Sequence, residues 1–349
     1  MAAAMDWRVG VACLVSFLLA GLLIRGTLAY AQCRGLLDHP GRRRSHSVAT
    51  PRGAGAGLVV GAVPGVAWAL GGGLGGGLAP ATGVALAIAT ATVLIAGWLD
   101  DHASLPIRPR LLAHLVAAGL LAWAVFHGAP WNAGRVALAL ALVVATAWSI
   151  NLHNFMDGID ALLGLQALFV FAALAALAWA LGQVPLAAAL FCLAAACLAF
   201  LRFNWPPARI FMGDVGSGTL GLLIALFAAL LWRREPQALC AILILCSAFV
   251  VDATLTLVSR MLRGRRWYTA HREHLYQWLV RCGFTHARTG CLYMLWNLLL
   301  AAPCACAAVA WPRAALPLCA ALYAAGAALW LAGKRGCLAR IAGASAHAA

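Results

Sequence analysis

Apolar runs of about twenty residues, separated by short polar stretches, recur along the whole chain. They fall at 9–31, 54–72, 80–98, 110–127, 133–151, 161–181, 184–201, 214–232, 237–260, 289–310 and 314–333. A helix of that length crosses the hydrocarbon core of a bilayer. The pattern predicts an all-α polytopic membrane protein with about 11 (10–11) transmembrane helices. We read it as one integral-membrane domain over 1–349, with the chemistry-bearing motifs in 38–288 and the last spans and tail in 289–349. The Gly-rich second run and the GGGLGGG stretch at 71–77 are its least regular part. Ala29-Tyr30-Ala31 has the form of a signal-peptidase site. Cleavage there would leave Arg42, Arg43 and Arg44 outside the membrane, so the first run is read as a retained span.

Composition agrees with the pattern. Of 349 residues 64% are apolar and 10% charged, where a soluble domain has roughly 25% charged. The net charge of +15 would suggest nucleic acid in a soluble protein. Here no basic run is interleaved with exposed aromatics as single-strand binding requires, and nucleic acid is excluded as a partner. The basic residues instead sort by side. Alternating the loops places nineteen of the 25 on one side, from Arg34 and Arg52 through Arg108, Arg110, Arg202 and Arg209 to Arg260–Arg288 and Lys334. That side is the cytoplasm, with the N-terminus periplasmic and the C-terminus cytoplasmic. Arg25, inside the first run, can snorkel. The twelve cysteines form no CxxC pair, and several, such as Cys192, Cys197, Cys240 and Cys246, read as small buried apolar residues.

The carboxylates sort the same way. Asp38, Asp100, Asp101, Asp157, Asp160, Asp214 and Glu273 fall on the cytoplasmic side, Asp6 and Glu235 opposite, and Asp252 within the ninth run. Acids contribute little to topology, so their gathering indicates an active face at the cytoplasmic end. Asp100-Asp101 closes the third run; adjacent carboxylates there repel and invite a cation. Asn151, Asn154, Asp157 and Asp160 recur every three residues, which on a helix makes one polar stripe of oxygen ligands suited to Mg²⁺. Asp160 also suits a helix cap. Around Asp214, Gly213, Gly216 and Gly218 allow a close backbone approach and an anion site at a helix start. The loop after the ninth run carries Arg residues suited to phosphate, and a face of Leu275, Trp278, Leu279 and Cys282 that predicts an interfacial helix. His271 and His274 are suited to phosphate contact; a zinc site would need a third ligand such as His286. Asp252 is either functional or a helix-packing hydrogen-bond acceptor.

Five stretches, in order, carry a resemblance: DHPGRRRSH (38–46), DD (100–101), NLHNFMDGIDAL (151–162), FNWPPARIFMGDVGSG (203–218) and HREHLYQ (271–277). The chain resembles the polyprenyl-phosphate N-acetylhexosamine-1-phosphate transferases, which start bacterial O-antigen and common-antigen lipid carriers and are related to the phospho-N-acetylmuramoyl-pentapeptide transferase. The resemblance implies an Mg²⁺-dependent enzyme (Mn²⁺ as substitute) of the bacterial inner membrane. Polyprenyl phosphate would attack the sugar-bearing phosphorus of a UDP-N-acetylhexosamine and release UMP. It also allows a homodimer. It implies that Asp214 and Asn154 hold the metal and that Asp157 supports it. Asp100 would activate the lipid phosphate with help from Asp101. Asp160, Asn204 and the Phe211 ring would form the uridine pocket, and His271, Arg272 and His274 would hold the diphosphate. Arg44 and His46 would contact substrate. The His-Arg-Glu-His stretch departs from the adjacent histidines of the pentapeptide transferase and looks more like the branch using UDP-GlcNAc relatives such as 6-deoxy sugars. A transporter, the rival class, predicts ionisable residues near mid-bilayer and internal repeats; only Asp252 fits it.

Overall fold

The computed structural model describes residues 6–38, 48–128, 130–266 and 271–346. Arg44 and His46 lie outside the described residues. The helices are α1 (Trp7–Arg34), α2 (Ala54–Trp68), α3 (Pro80–Ala103), α4 (Ile107–Phe126), α5 (Ala133–Phe155), α6 (Leu162–Ala180), α7 (Val184–Asn204), α8 (Asp214–Arg234), α9 (Leu239–Leu245), α10 (Ser247–Leu262), α11 (Leu275–Arg281), α12 (His286–Trp296), α13 (Ala302–Ala310) and α14 (Ala315–Ala346). Among the described residues ten helical runs are long and apolar enough to cross a membrane, and eleven if one bent pair is counted. The protein is therefore a multi-pass, all-α membrane protein.

Local sequence sets the ends. Asp6 caps α1 by accepting from the Arg8 N–H at 2.9 Å, Asn132 caps α5 through the Arg135 N–H, and Pro80 opens α3. The ninth run, expected as one span over 237–260, is instead broken. The segments Pro236–Leu245 and Ser247–Leu262 meet at 70°. The hydrogen bonds through the break are long, Cys246 N–H to Ile242 O at 3.3 Å and Val250 N–H to Cys246 O at 3.4 Å. Tertiary bonds hold α10 in its new direction: Trp296 Nε1 donates to Ser247 Oγ at 2.9 Å and Trp148 Nε1 to Thr254 Oγ1 at 3.1 Å.

α8 is the axis of the bundle: 83% of its central window is buried, against 22% for α1 and α5. Within a bilayer, helices associate by close packing rather than by the hydrophobic effect, which favours small residues at contacts. A Cβ on Gly55 of α2 would fall 2.0 Å from Gly216 Cα of α8, and one on Gly97 of α3 would fall 2.5 Å from the Asp214 carbonyl oxygen. α2 and α3 thus touch the start of α8 almost backbone to backbone. At the same end a short antiparallel ribbon pairs β1 (Leu37–Asp38) with β2 (Thr50–Pro51), in the register Leu37↔Pro51 and Asp38↔Thr50. It continues into the turn before α8, where the Phe211 N–H donates to Pro51 O at 2.8 Å and the Gly53 and Ala54 N–H groups donate to Phe211 O at 3.1 Å.

Candidate active site

The ends of α3 and α5, the start of α8 and the turns beside them enclose a cavity of about 340 Å³. Asp101, Asn154, Asp157, Asp160, Asn204, Phe211 and Asp214 all line it. Residues 113 positions apart build its floor. The N–H groups of Asp214 and Val215 donate to the two carboxylate oxygens of Asp101, each at 3.1 Å. The first N–H groups of a helix have no acceptor within it, and the positive end of the helix dipole favours an anion. Asp101 therefore caps α8 from α3. Arg52 steadies Asp101, with its Nε 3.8 Å from Oδ1 and its guanidinium donating to the Asp101 carbonyl.

The first side chain of α8 is Asp214. Asn154 Nδ2 donates to its Oδ1 at 2.5 Å and to Ser217 Oγ at 3.1 Å. Arg110 Nη1 stands 3.8 Å from Asp214 Oδ2 and 2.5 Å from Asp100 Oδ2. Asp100 also accepts the Leu105 N–H at 2.6 Å and is not among the residues lining the cavity. Its carboxylate fixes Arg110 beside Asp214.

The polar stripe expected from Asn151 to Asp160 does not form. α5 ends at Phe155, and Asp157 and Asp160 sit on the turn that follows. Asn151 faces away, donating to Ala147 O at 2.7 Å beside His114. Asp157 is held well above the usual carboxylate range by burial and by the negative charges of Asp214, Asp101 and Asp160. Asp160 does not cap α6, whose N-cap position is Ala161 at φ 62°. Its Oδ2 accepts the Ala208 N–H at 3.2 Å and lies 3.3 Å from His286 Nδ1. Asn204 uses both ends of its amide to tie two turns together, accepting from the Ala161 N–H at 2.8 Å and donating to Ile210 O at 2.9 Å.

The residue-271 segment approaches from the other side. Tyr276 donates to Phe155 O at 3.0 Å. A Cβ on Gly158 would fall 2.0 Å from the Tyr276 hydroxyl, so the turn holding Asp157 fits only glycine there. Tyr276 is set in place by Asp252, whose carboxylate accepts the Leu275 N–H at 2.8 Å and the Tyr276 N–H at 3.4 Å. The same carboxylate accepts from Tyr293 of α12 at 2.6 Å, Trp330 of α14 at 3.0 Å and Thr256 at 3.2 Å. Asp252 is thus the packing acceptor of the two alternatives, and it caps α11.

The sequence matches the family model described as glycosyl transferase family 4 over residues 83–232. The chain is 29% identical over 295 residues to a decaprenyl-phosphate N-acetylglucosaminephosphotransferase of Mycobacterium tuberculosis, covering 75% of this chain and 73% of that protein. It is 26% identical over 289 residues to a probable undecaprenyl-phosphate N-acetylglucosaminyl 1-phosphate transferase of Bacillus subtilis, covering 80% and 79%. A phospho-N-acetylmuramoyl-pentapeptide-transferase of Clostridium perfringens is 32% identical over 188 residues, 49% of this chain and 58% of that protein. Over residues 83–232 the chain is similar to glycosyl transferase family 4. Its class of chemistry is that of a phosphoglycosyltransferase.

The chain has two motif regions of different standing. The matched core contains Asp100, Asp101, Asn154, Asp157, Asp160, Asn204, Phe211 and Asp214, and all but Asp100 meet at the cavity. The His-Arg-Glu-His stretch lies beyond the match. His271, Arg272 and His274 do not line the cavity; Tyr276 and Gln277, from the same segment, do. The His274 ring stacks on Tyr276 at 5.8 Å and lies 5.0 Å from that of His271. Burial pushes His271 down to about 4 and lowers His274 against the pull of Asp252, so both imidazoles are neutral at pH 7. Burial alone would raise Glu273, but Arg265 and Arg260 hold its carboxyl below the usual range. Sequence reasoning gave no role in the site to Arg52, Arg110 or Tyr276, and considered His286 only as a zinc ligand. The nearness of Arg110 to the DD pair was the one available signal.

Proposed function

We propose that this protein transfers an N-acetylhexosamine-1-phosphate from a UDP-sugar to polyprenyl (undecaprenyl) phosphate at the inner membrane of a bacterium, starting a lipid-linked surface glycan such as O antigen. The carrying observation is an oxygen-lined cavity at the start of α8, with Asp214 fixed there by Asp101 beneath and Asn154 beside it. An oxygen of the lipid phosphate bonds to the sugar-bearing phosphorus. The bond from that phosphorus to its bridging oxygen breaks, and the electron pair leaves on UMP. Such transfers depend mainly on positioning and charge stabilisation.

The donor set fits Mg²⁺, or Mn²⁺ in its place. It clusters carboxylates on one cavity, where Asp157 is held above the usual range first by burial and then by the charges of Asp214, Asp101 and Asp160. Asp214 would hold the ion, supported by Asp157, and Asn154 would join it by turning its amide oxygen in place of the Nδ2 that donates to Asp214. Bound there, the metal supplies neutralising charge for the diphosphate oxygens. Phe211 offers its ring to the uracil, and Asp160 an acceptor. Asn204 shapes this pocket by holding its two turns together. His271, Arg272 and His274 stand behind Tyr276 and Gln277, which line the cavity, and would reach the diphosphate only after a movement of this segment, while Asp100 positions Arg110.

The test is UMP release from UDP-N-acetylhexosamines by membranes containing the full chain, with polyprenyl phosphate and Mg²⁺. Release that stops on chelation and returns with Mg²⁺ is expected. Metal-independent release, or none across a panel of UDP-N-acetylhexosamines, overturns the reading.

A further inference from the structure

A second cavity, of about 630 Å³, is a groove between α1 and α7. It shares no lining residue with the first. One wall is apolar, with Phe17, Leu18, Leu22 and Leu28; the polar lining includes Arg25, Arg202 and Arg209, and no Asp or Glu. From Phe17 to Gln32 the wall runs about 22 Å along α1, more than the ~15 Å of one hydrocarbon leaflet.

The arginines are built into this wall rather than scattered on it. Arg202 lies over the Phe17 ring at 5.8 Å and Arg209 over Phe203 at 5.0 Å. Arg209 Nη2 also donates to the Arg202 carbonyl at 2.7 Å. Among the described residues neither Arg25 nor Arg202 pairs with a carboxylate. Cations in an apolar wall facing lipid are costly unless an anion joins them, and the planar guanidinium suits phosphate.

We propose that this groove seats an anionic phospholipid, its phosphate on Arg25, Arg202 and Arg209 and an acyl chain along the Phe17–Leu28 wall. The charge complementarity selects a lipid phosphate, and the length of apolar wall selects a molecule that carries a chain. The seat backs onto the catalytic cavity. The turn that offers Arg209 to the groove offers the Ala208 N–H to Asp160 and the Phe211 ring to the cavity. This inference does not depend on the proposed reaction, because its readout is binding.

The experiment titrates the purified full chain in neutral detergent with phosphatidylglycerol and counts retained lipids by native mass spectrometry. One tightly retained phosphatidylglycerol is expected, with phosphatidylcholine not retained. Arg25→Gln and Arg202→Gln should each weaken retention roughly five-fold, as removal of one cationic contact implies. Melting in lipid-free detergent should be unchanged. Retention in both variants equal to that of the parent overturns the proposal. So does displacement by inorganic phosphate alone, which marks a simple ion site, or by polyprenyl phosphate, which marks the acceptor's own seat. Loss of a dimer in the variants with retention unchanged would assign the groove to a second copy instead. Should Arg202→Gln fail to fold, Arg25→Gln alone decides, since Arg25 makes no hydrogen bond among the described residues.

Discussion

Asp101 and Asp252 each accept the leading backbone N–H groups of a helix that begins elsewhere in the chain, α8 for the first and α11 for the second. Their surroundings separate them. Asp252 is enclosed by five donors from α10, α11, α12 and α14, and its charge is spent on holding those elements together. Asp101 holds a helix whose first side chain, Asp214, opens on the cavity. The part played by a buried carboxylate is therefore read from what its acceptor bonds present to the site. Burial alone says less: Asp101 and Asp252 are 3% and 2% exposed.

Substitutions can break this comparison. Asp214→Asn should lower UMP release by about 100-fold or more, the scale of losing one preorganised electrostatic contact, with melting unchanged; full activity would remove the residue from the metal site. Asp101→Asn keeps the shape but weakens the hold on α8. It should cost about ten-fold in turnover, with little change in KM for the UDP-sugar. A variant as active as the parent would show that the cap does not position Asp214. Asp252→Asn should act on stability, by about 3 kcal/mol for a buried charge network losing its acceptor, read by chemical unfolding in detergent. If turnover fell without loss of stability, Asp252 would belong with Asp101.

Two smaller effects sharpen the boundary. Gly158→Ala should displace the Asp157 turn, and Tyr276→Phe, which removes the clashing hydroxyl, should return part of the lost activity. The coupling should be about 1 kcal/mol in a double-mutant cycle; strict additivity would separate the two segments. The smallest effect concerns pH. His271 titrates at about 4 in the folded chain, below its ordinary 6.5, so the unfolded state takes up protons first as pH falls. Stability should decline from about pH 6.5 toward 4, and His271→Gln should flatten that decline. An unchanged slope would remove His271 as its source.

The helices were legible because each repeats one requirement, an apolar length that matches the bilayer. The break at Cys246 was not, since neither Pro nor Gly marks it and its cause lies in Ser247 and Trp296, 49 positions apart. The acids at the site were legible as residues gathered on one side, but not as roles. The three-residue rhythm from Asn151 to Asp160 suggested a helix, and the Asp157-Gly158 pair that ends it gains meaning only from Tyr276, which presses against it. Likewise Asp160 meets His286 across 126 positions. Partnerships at such separations are set by packing, which periodicity does not carry.

The near-contact of α2 and α3 with the start of α8 also fixes an order in time. The chain enters the membrane span by span, and Asp101 arrives with the third. The N–H groups it will hold, and Asp214 with them, arrive only with α8. Until then Asp101 waits without that partner, and no earlier fragment of the growing chain contains the cavity floor. The floor therefore waits for α8, which packs where Gly55 and Gly216 nearly touch, and the lining closes only when the later segment brings Tyr276, Gln277 and His286.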